Sequence, residues 1–440
     1  MKISNILSIG ILLFFVIVLL TGRNSIRKAY LLYILYLFPL IDLFLTPVKD
    51  GGFTCFDFIT YITLFISLFL NQFTLLNRIG SSFPLYVITL LLILILGTLN
   101  SEFPVASVIN LAKLLAIIFY AHQLLEECHE DPSFIYTVIK ALKISCLLSL
   151  LFLSLQLAFG LSITIYQLSP NVSQFDTTIR YPSFFQDPQK YGQFLAMTSF
   201  LFLVSSPRRD NTKFAVAYFA VVVLALFLTG VRAAFSGLCA GLFIILLFAN
   251  KRKKLLGCLF IALGYAIIQL YASHFALFNR STNARDMAAV RYSYWRAAFR
   301  IFEKNPLLGI GIGNYQNYVS LHMQNQYWEY FGTKEYMDHP ESGYLKILSE
   351  WGILAFILGI SFIVRPIGVA FKSLISSAGK NQPLIYLIAS IVSWLIGFGT
   401  VYSFSDVRIY ILVITLTCLI ITINAKNKSN EVDPRAQIAE

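Results

Sequence analysis

A histidine and a glutamate stand just before a long apolar run, in the segment HPESGYLKILSEWGILAFILGISFIV at residues 339–364. Pro340 suits the first position of a helix, where no backbone N–H is needed, and the helix dipole would favour Glu341 in the first turn. His339 has less structural reason to be there. A histidine at a helix start tends towards the neutral form of a general base, although an ordinary loop histidine would look the same. We therefore take His339 and Glu341 as the candidate catalytic residues.

Arginines occupy the other polar segments that adjoin apolar runs. Arg232 lies in LTGVRAAF, Arg291 lies in ARDMAAVRYSYWRAAF, and Arg180 lies with Asp187 in TTIRYPSFFQDPQKYG. Arginine binds pairs of phosphate oxygens, so a cavity lined by these residues would suit a phosphate-bearing lipid. The alternatives are that Arg232 extends to the membrane surface and that Arg291 belongs to a solvated basic face.

The segment at residues 284–315 begins with an amphipathic helix. Its aromatic stripe repeats at intervals of three and four residues, and we expect this stripe to pack on the membrane helices, with Arg291 at its edge. The stripe consists of Ala288, Tyr292, Trp295, Phe299 and Phe302. The following GIGIGNY lacks the strand and helix of a dinucleotide motif, so its glycines more simply allow a close turn.

The composition indicates that membrane helices position these residues. The chain has 57% hydrophobic and 13% charged residues and a mean hydropathy of +0.72, whereas soluble domains carry about 25% charged residues. Helices satisfy their own backbone polar groups in lipid. The sequence therefore predicts an all-α polytopic membrane protein with about thirteen spans, within a range of about 12–14.

Runs of sufficient length to span a bilayer alternate with short polar links along most of the chain. They lie near residues 4–21, 29–46, 54–70, 83–100, 104–121, 141–160, 190–206, 214–230, 233–250, 255–272, 345–364, 383–402 and 407–424. The first run predicts a membrane helix rather than a cleaved signal peptide. Alternating spans place the main Lys and Arg clusters on one side, which the positive-inside rule assigns to the cytoplasm.

This topology predicts four regions. Membrane helices fill residues 1–272, with an outer loop near 161–189, and a large outer loop covers 273–344. Three further membrane helices lie within 345–424, and 425–440 forms a cytoplasmic tail. The net charge of +12 then reflects cytoplasmic loops and not a nucleic-acid partner.

The sequence contains no recognised metal or cofactor motif. Its six cysteines include no C-x-x-C pair, which argues against a zinc or redox site. The interval at 122–140 contains His122 and His129 among acidic residues, but its spacing matches no metal site. We therefore expect a solvated loop there, and no metal or cofactor.

Three segments in order, LTGVRAAF, RYSYWRAAFRIFEKNPLLGIGIGNY and HPESGYLKILSEWGIL, resemble the O-antigen polymerase and ligase superfamily of bacterial polytopic glycosyltransferases. YPSFFQDPQKYGQFLA is similar to the first outer-loop pattern of that family. The resemblance implies a C-type glycosyltransferase architecture in the bacterial inner membrane, with the active site facing the periplasm. It also implies a donor glycan carried on undecaprenyl diphosphate, which a hydroxyl of the acceptor glycan attacks without metal or nucleotide.

By this resemblance Arg232 and Arg291 hold the diphosphate, and His339 activates the acceptor. The family often has His-Asn where this chain has His339-Pro340, so the base stays open between His339 and Glu341. The favoured function is polymerisation of repeat units. The alternatives are ligation of lipid-linked glycan to lipid A–core and transport of polysaccharide or lipid-linked sugars. The bilayer is the expected surrounding, and a chain-length regulator is a further candidate partner.

Overall fold

A computed structural model describes most of the chain, and the fold is all-α, as predicted, apart from one short hairpin. The described residues are 3–21, 25–45, 52–70, 82–166, 168, 179–204, 212–250, 254, 257, 284–330, 333–376 and 381–432. The expected span at 255–272 thus lies almost entirely outside them.

The helices follow the predicted apolar runs closely in most of the chain. Their bounds are α1 Ile3–Thr21, α2 Ile26–Tyr36, α3 Cys55–Phe69, α4 Ser82–Leu99, α5 Pro104–Glu130, α6 Phe134–Phe159, α7 Pro188–Ser199, α8 Thr212–Thr229, α9 Arg232–Phe248, α10 Ala284–Lys304, α11 Tyr315–His322, α12 Gly343–Ser376, α13 Gln382–Phe398 and α14 Val407–Val432. The hairpin pairs β1 (Tyr327–Tyr330) with β2 (Thr333–Tyr336) in antiparallel register.

Four helices in the described part are long and apolar enough to cross a membrane, which supports a polytopic membrane protein. They are Pro104–Glu130, Phe134–Phe159, Gly343–Ser376 and Val407–Lys426. Shorter apolar helices accompany them at Leu7–Leu19, Cys55–Phe69, Leu85–Leu99, Phe214–Thr229, Arg232–Phe248 and Gln382–Phe398.

Several predicted boundaries were wrong for identifiable reasons. The run at 29–46 is helical only to Tyr36, and turns that include Pro39 follow, because proline has no N–H to continue a helix. The run at 190–206 is a short helix, α7, followed by a 3₁₀ turn at Phe200–Leu203. At the other end of the chain α14 continues to Val432, into the predicted tail.

The expected solvated loop at 122–140 is also wrong. Helix α5 continues to Glu130, and α6 begins after a short turn at Phe134. His122, Glu126 and Glu127 are all buried on this extension. The polar residues had been expected in a solvated loop, but leucine and glutamate are both good helix formers. The described residues contain no cluster of His, Cys, Asp and Glu that could hold a metal ion.

The chain divides into two compact units. The first comprises Met1–Gln123, Ser281–Phe362 and Phe398–Tyr410. Within it α10, α11 and the end of β2 share a small core that includes Tyr294, Ile301, Tyr318 and Met337. This core anchors the segment that joins β2 to α12, and that segment carries His339.

The second unit comprises Leu124–Arg280, Ile363–Gly397 and Ile411–Glu440. Its centre is α7, which packs against α6, α8 and α9. The aromatic residues before α7 are packed as expected, since Phe184 and Phe185 are buried and stacked 5.0 Å apart. Ser183 holds them in place by donating its backbone N–H to Gln156 Oε1 at 2.9 Å.

Candidate functional site

The candidate catalytic residues lie in a loop before α12 and not in its first turn. The helix begins at Gly343, so Pro340 is not its first residue and the predicted dipole argument for Glu341 is wrong. Ser342 takes the capping position, since its carbonyl accepts the Lys346 N–H at 3.1 Å and serine is a good N-cap. Glu341 instead adopts φ 52°, a strained left-handed conformation that often marks functional loops.

His339 is held by Asp338, a residue that sequence reasoning missed. The imidazole Nδ1 lies 2.6 Å from Asp338 Oδ1, and Nε2 lies 3.9 Å from Glu341 Oε1. An ionised carboxylate can only accept a hydrogen bond, so Nδ1 donates to it and Nε2 keeps a free lone pair. This tautomer is the one that a general base needs.

The charges around His339 change the expectation for its protonation. Burial lowers the pKa of His339, but the charge and hydrogen bond of Asp338, with the charge of Glu341, raise it further, and the net pKa is above the ordinary value. The prediction that a positive helix end keeps this histidine neutral is therefore wrong. The raised pKa makes Nε2 a stronger base once the proton has left.

Arg291 reaches the same loop from α10. Its Nη2 lies 3.7 Å from Glu341 Oε2, with the arginine side chain 36% exposed and the glutamate 13% exposed. Glu341 therefore lies between Arg291 and His339. An ion pair this open to solvent contributes little to stability, and the guanidinium keeps further N–H groups for an anion. The structure thus unites three of the predicted site residues.

The face of α10 that packs is not the predicted one. Tyr292 and Phe299 of the aromatic stripe are exposed at 61% and 47%, whereas Tyr294, Ala298 and Ile301 are buried. The buried face includes small residues such as Ala298, which allow close packing. Arg291 is three residues before Tyr294, on the packed side. Packing therefore directs Arg291 toward the loop.

A lysine and a glutamate in α12 form a second link that sequence reasoning missed. Lys346 Nζ lies 3.3 Å from Glu350 Oε1, and it also donates to the Asp338 carbonyl at 2.5 Å. Glu350 Oε1 accepts the Tyr315 N–H at 3.0 Å. This pair ties the His339 loop to α11 and α12. The available signal was an i, i+4 pair of opposite charges inside an otherwise apolar run.

The glycine-rich turn packs against a break in α12, which confirms its expected role in close packing. Gly352 has φ 68° and interrupts the helix. The break frees carbonyls that the turn uses, since Ile310 N–H donates to Ser349 O and Gly311 N–H donates to Glu350 O, at 3.1 and 3.0 Å. A Cβ on Gly309, which has φ 70°, would lie 2.3 Å from Glu350 O. Only glycine fits here.

The remaining predicted residues belong to the second unit. Arg180 is buried, and its Nε donates to Thr229 O at 3.0 Å, which ties it to the turn before Arg232. Arg232 is the exposed first residue of α9. A cation at a helix N-terminus is repelled by the positive end of the helix dipole. The arginine charge and the helix N-terminus together attract an anion. Asp187 is the N-cap of α7, accepting the Gln189 N–H at 2.8 Å, which gives it a structural role.

Comparison with known families agrees with the motifs. Residues 217–360 match the family model described as O-Antigen ligase, which is about a third of the chain. The match includes Arg232, Arg291, His339 and Glu341, whereas Arg180 and Asp187 precede it. No match was found among curated proteins. The match supports the resemblance of residues 217–360 to the O-antigen polymerase and ligase superfamily, a family of glycosyltransferase-like membrane enzymes with lipid-linked glycan substrates.

Proposed function

We propose that this protein is an O-antigen polymerase of the bacterial inner membrane. It joins oligosaccharide repeat units carried on undecaprenyl diphosphate, at the periplasmic face, without a metal ion. The observation that carries the proposal is the cluster in the first unit, where Asp338, His339, Glu341 and Arg291 bring a base and a cation together.

The first step is activation of the acceptor. A hydroxyl of the acceptor sugar gives its proton to Nε2 of His339, which is the free nitrogen of the tautomer set by Asp338. The imidazolium that forms is stabilised by the Asp338 carboxylate and by Glu341. Glu341 is the alternative base, but its Oε2 lies 3.7 Å from Arg291 Nη2, and this contact suits a supporting role.

The second step is transfer. The hydroxyl oxygen attacks the first carbon of the donor glycan, the bond from that carbon to the phosphate oxygen breaks, and undecaprenyl diphosphate leaves with the bonding electrons. Fixed cations stabilise a charge that develops on a leaving group. Arg291, next to Glu341 in the first unit, supplies such a cation. The resemblance implies the same role for Arg232. Arg180 holds the turn before Arg232 and thereby positions it.

Ligation of glycan to lipid A–core is the second candidate, because the matching family model carries the ligase description. The two reactions share the donor and differ in the acceptor. We favour the polymerase because His339-Pro340-Glu341 departs from the common His-Asn pattern and the outer loops are rich in aromatic residues. Both features suit an enzyme that recognises one particular repeat unit.

A lipopolysaccharide gel of a strain lacking the gene, beside its parent, tests the proposal. A polymerase predicts that the ladder collapses to core plus one repeat. Loss of all core-attached repeats, with long glycan still on the lipid carrier, would instead indicate the ligase. An unchanged ladder would contradict both functions for this polysaccharide.

A further inference from the structure

A cavity of about 260 Å³ with both polar and apolar walls lies within the first unit, beside the His339 loop. Lys346 and Tyr402 form the shared wall. Both line the cavity, while Lys346 Nζ donates to the Asp338 carbonyl and the Tyr402 ring lies 6.1 Å from the His339 ring. Apart from the α5 residues, the lining segments are helix ends and loops that the charge pattern predicts on the outer side of the membrane.

Most charges near this cavity are already paired. Asp42, at the wall, lies 3.5 Å from the guanidinium of the fully buried Arg408, which Asp406 also contacts at 2.6 Å. Glu350 is paired with Lys346 at 3.3 Å. Since these carboxylates are compensated inside the fold, they need no charged ligand.

Other polar groups of the lining have unused hydrogen-bonding capacity. Within the part of the chain that the structure describes, neither the Lys113 ammonium nor the Asn317 amide has a hydrogen bond or ion pair. Asn110 donates through Nδ2 to Ala106 O, which leaves its Oδ1. Asp57 receives both Thr54 hydrogen bonds at Oδ2, which leaves its Oδ1. An ionisable residue inside a membrane helix, such as Lys113, commonly marks a functional site.

Aromatic rings complete the lining, including those of Trp351 and Tyr402. Ligand pockets combine apolar and aromatic walls with a few placed polar groups. A sugar ring matches the polar groups and the aromatic walls alike. Its hydroxyls donate and accept hydrogen bonds around the rim, and its C–H groups cover one face. The volume lies below the ~300–1,000 Å³ of pockets for drug-sized ligands, so one ring fits and an oligosaccharide does not.

We propose that this cavity binds one uncharged sugar ring of the acceptor glycan and thereby presents its neighbour to His339. Lys113, Asp57, Asn110 and Asn317 bond the hydroxyls, and Trp351 and Tyr402 cover the ring. An uncharged ring fits because the Asp57 and Asp42 carboxylates line the same cavity as the Lys113 ammonium, so the lining carries charges of both signs. The assignment to the acceptor rests on the proposed function, since His339 is the acceptor's base.

Two substitutions test the site in full-length protein in phospholipid nanodiscs. Lys113→Met and Asn317→Leu each remove hydrogen-bonding groups while keeping similar side-chain size. The control is Lys372→Met, which removes an exposed lysine outside the cavity lining. The binding probe is the repeat-unit oligosaccharide, which mild acid releases from the lipid carrier of a strain lacking the gene. Its binding to each protein is measured by calorimetry and by saturation-transfer NMR.

Both cavity variants are expected to weaken binding of this oligosaccharide about tenfold to a hundredfold, as loss of hydrogen bonds to a charged or amide group does. In transfer assays with intact lipid-linked units, the variants raise the KM for the acceptor and change kcat little. His339→Ala shows the reverse, with a low kcat and unchanged binding. Lys372→Met matches the wild type in both assays.

The outcomes separate this site from the proposed function. Wild-type affinity in both cavity variants, while the wild-type enzyme makes polymer, would overturn the sugar site alone. If the wild-type protein binds the oligosaccharide and the variants do not, but the wild-type protein makes no polymer, the sugar site stands and the polymerase function is overturned. Each variant is first checked for a single elution peak and an unchanged melting temperature. If Lys113→Met does not fold, Asn317→Leu decides, because its side chain makes no hydrogen bond within the described residues.

Discussion

Asp338→Asn should separate the two effects of Asp338 on His339. The carboxylate accepts a 2.6 Å hydrogen bond from Nδ1 and raises the pKa of His339 through its charge. The amide keeps the shape but removes the charge. Without the Asp338 charge, only Glu341 opposes the lowering effect of burial. The pKa of His339 therefore falls relative to the wild type, and the neutral base forms at lower pH. The acid limb of kcat against pH should therefore move to lower pH.

The plateau rate should fall at the same time. A hydrogen bond to a charged group contributes about 1.5–3 kcal/mol, and the imidazolium of the transition state would lose it. At about 1.4 kcal/mol for each tenfold in rate, the plateau should drop roughly 10- to 100-fold. The asparagine can also present its N–H₂ to Nδ1, which would favour the wrong tautomer and add to the loss.

The assay is polymerisation of lipid-linked repeat units by purified protein in liposomes, measured across pH. Glu335→Gln is the matched control, because it removes an exposed carboxylate from the neighbouring strand β2 with no ion pair to His339. It should leave the profile unchanged. An Asp338→Asn profile that coincides with the wild type in both limb and plateau would refute the reasoning.

Other substitutions probe the anion site, the ion pair and the turn. Arg232→Ala should leave the protein folded but abolish glycan transfer in liposomes. If this variant transfers glycan at the wild-type rate, the assignment of Arg232 to the site is wrong. Lys346→Met should lower the free energy of unfolding by about 3–5 kcal/mol, because it leaves the buried Glu350 unpaired. Adding Glu350→Leu should recover much of that loss, measured by thermal unfolding in detergent. Gly352→Ala should destabilise the protein measurably, since its Cβ would lie 2.3 Å from Leu307 O at φ 68°; an unchanged melting temperature would contradict this.

Stability should also depend on pH through His339. Its pKa is raised in the folded protein, so its protonated form stabilises the fold. That contribution is fully present below the ordinary pKa of 6.5 and is lost as the pH rises through the raised pKa. We expect the wild type to melt at a higher temperature than His339→Gln at pH 5, and this difference in melting temperature should become smaller as the pH rises to 9. A difference independent of pH would contradict the assignment.

The membrane class and most helix positions were predictable from the sequence, because they depend on local properties. An apolar run long enough to span a bilayer must form a helix there, and α3, α4 and α9 lie where such runs predict. The motifs around Arg232, Arg291 and His339 were also sufficient to suggest the resemblance that the family match supports. The failures at this level were local too, as at Pro39, where a turn replaced the expected helix.

The contact between Arg291 and the His339 loop and the cavity beside that loop needed the tertiary structure, because they depend on contacts between segments distant in sequence. Periodicity showed that α10 is amphipathic, but its conspicuous aromatic face is exposed and the small-residue face packs. That choice directs Arg291 to Glu341. The cavity around Lys113 likewise requires segments from separate parts of the chain. Hydropathy describes each helix alone, whereas these contacts arise only when the helices pack.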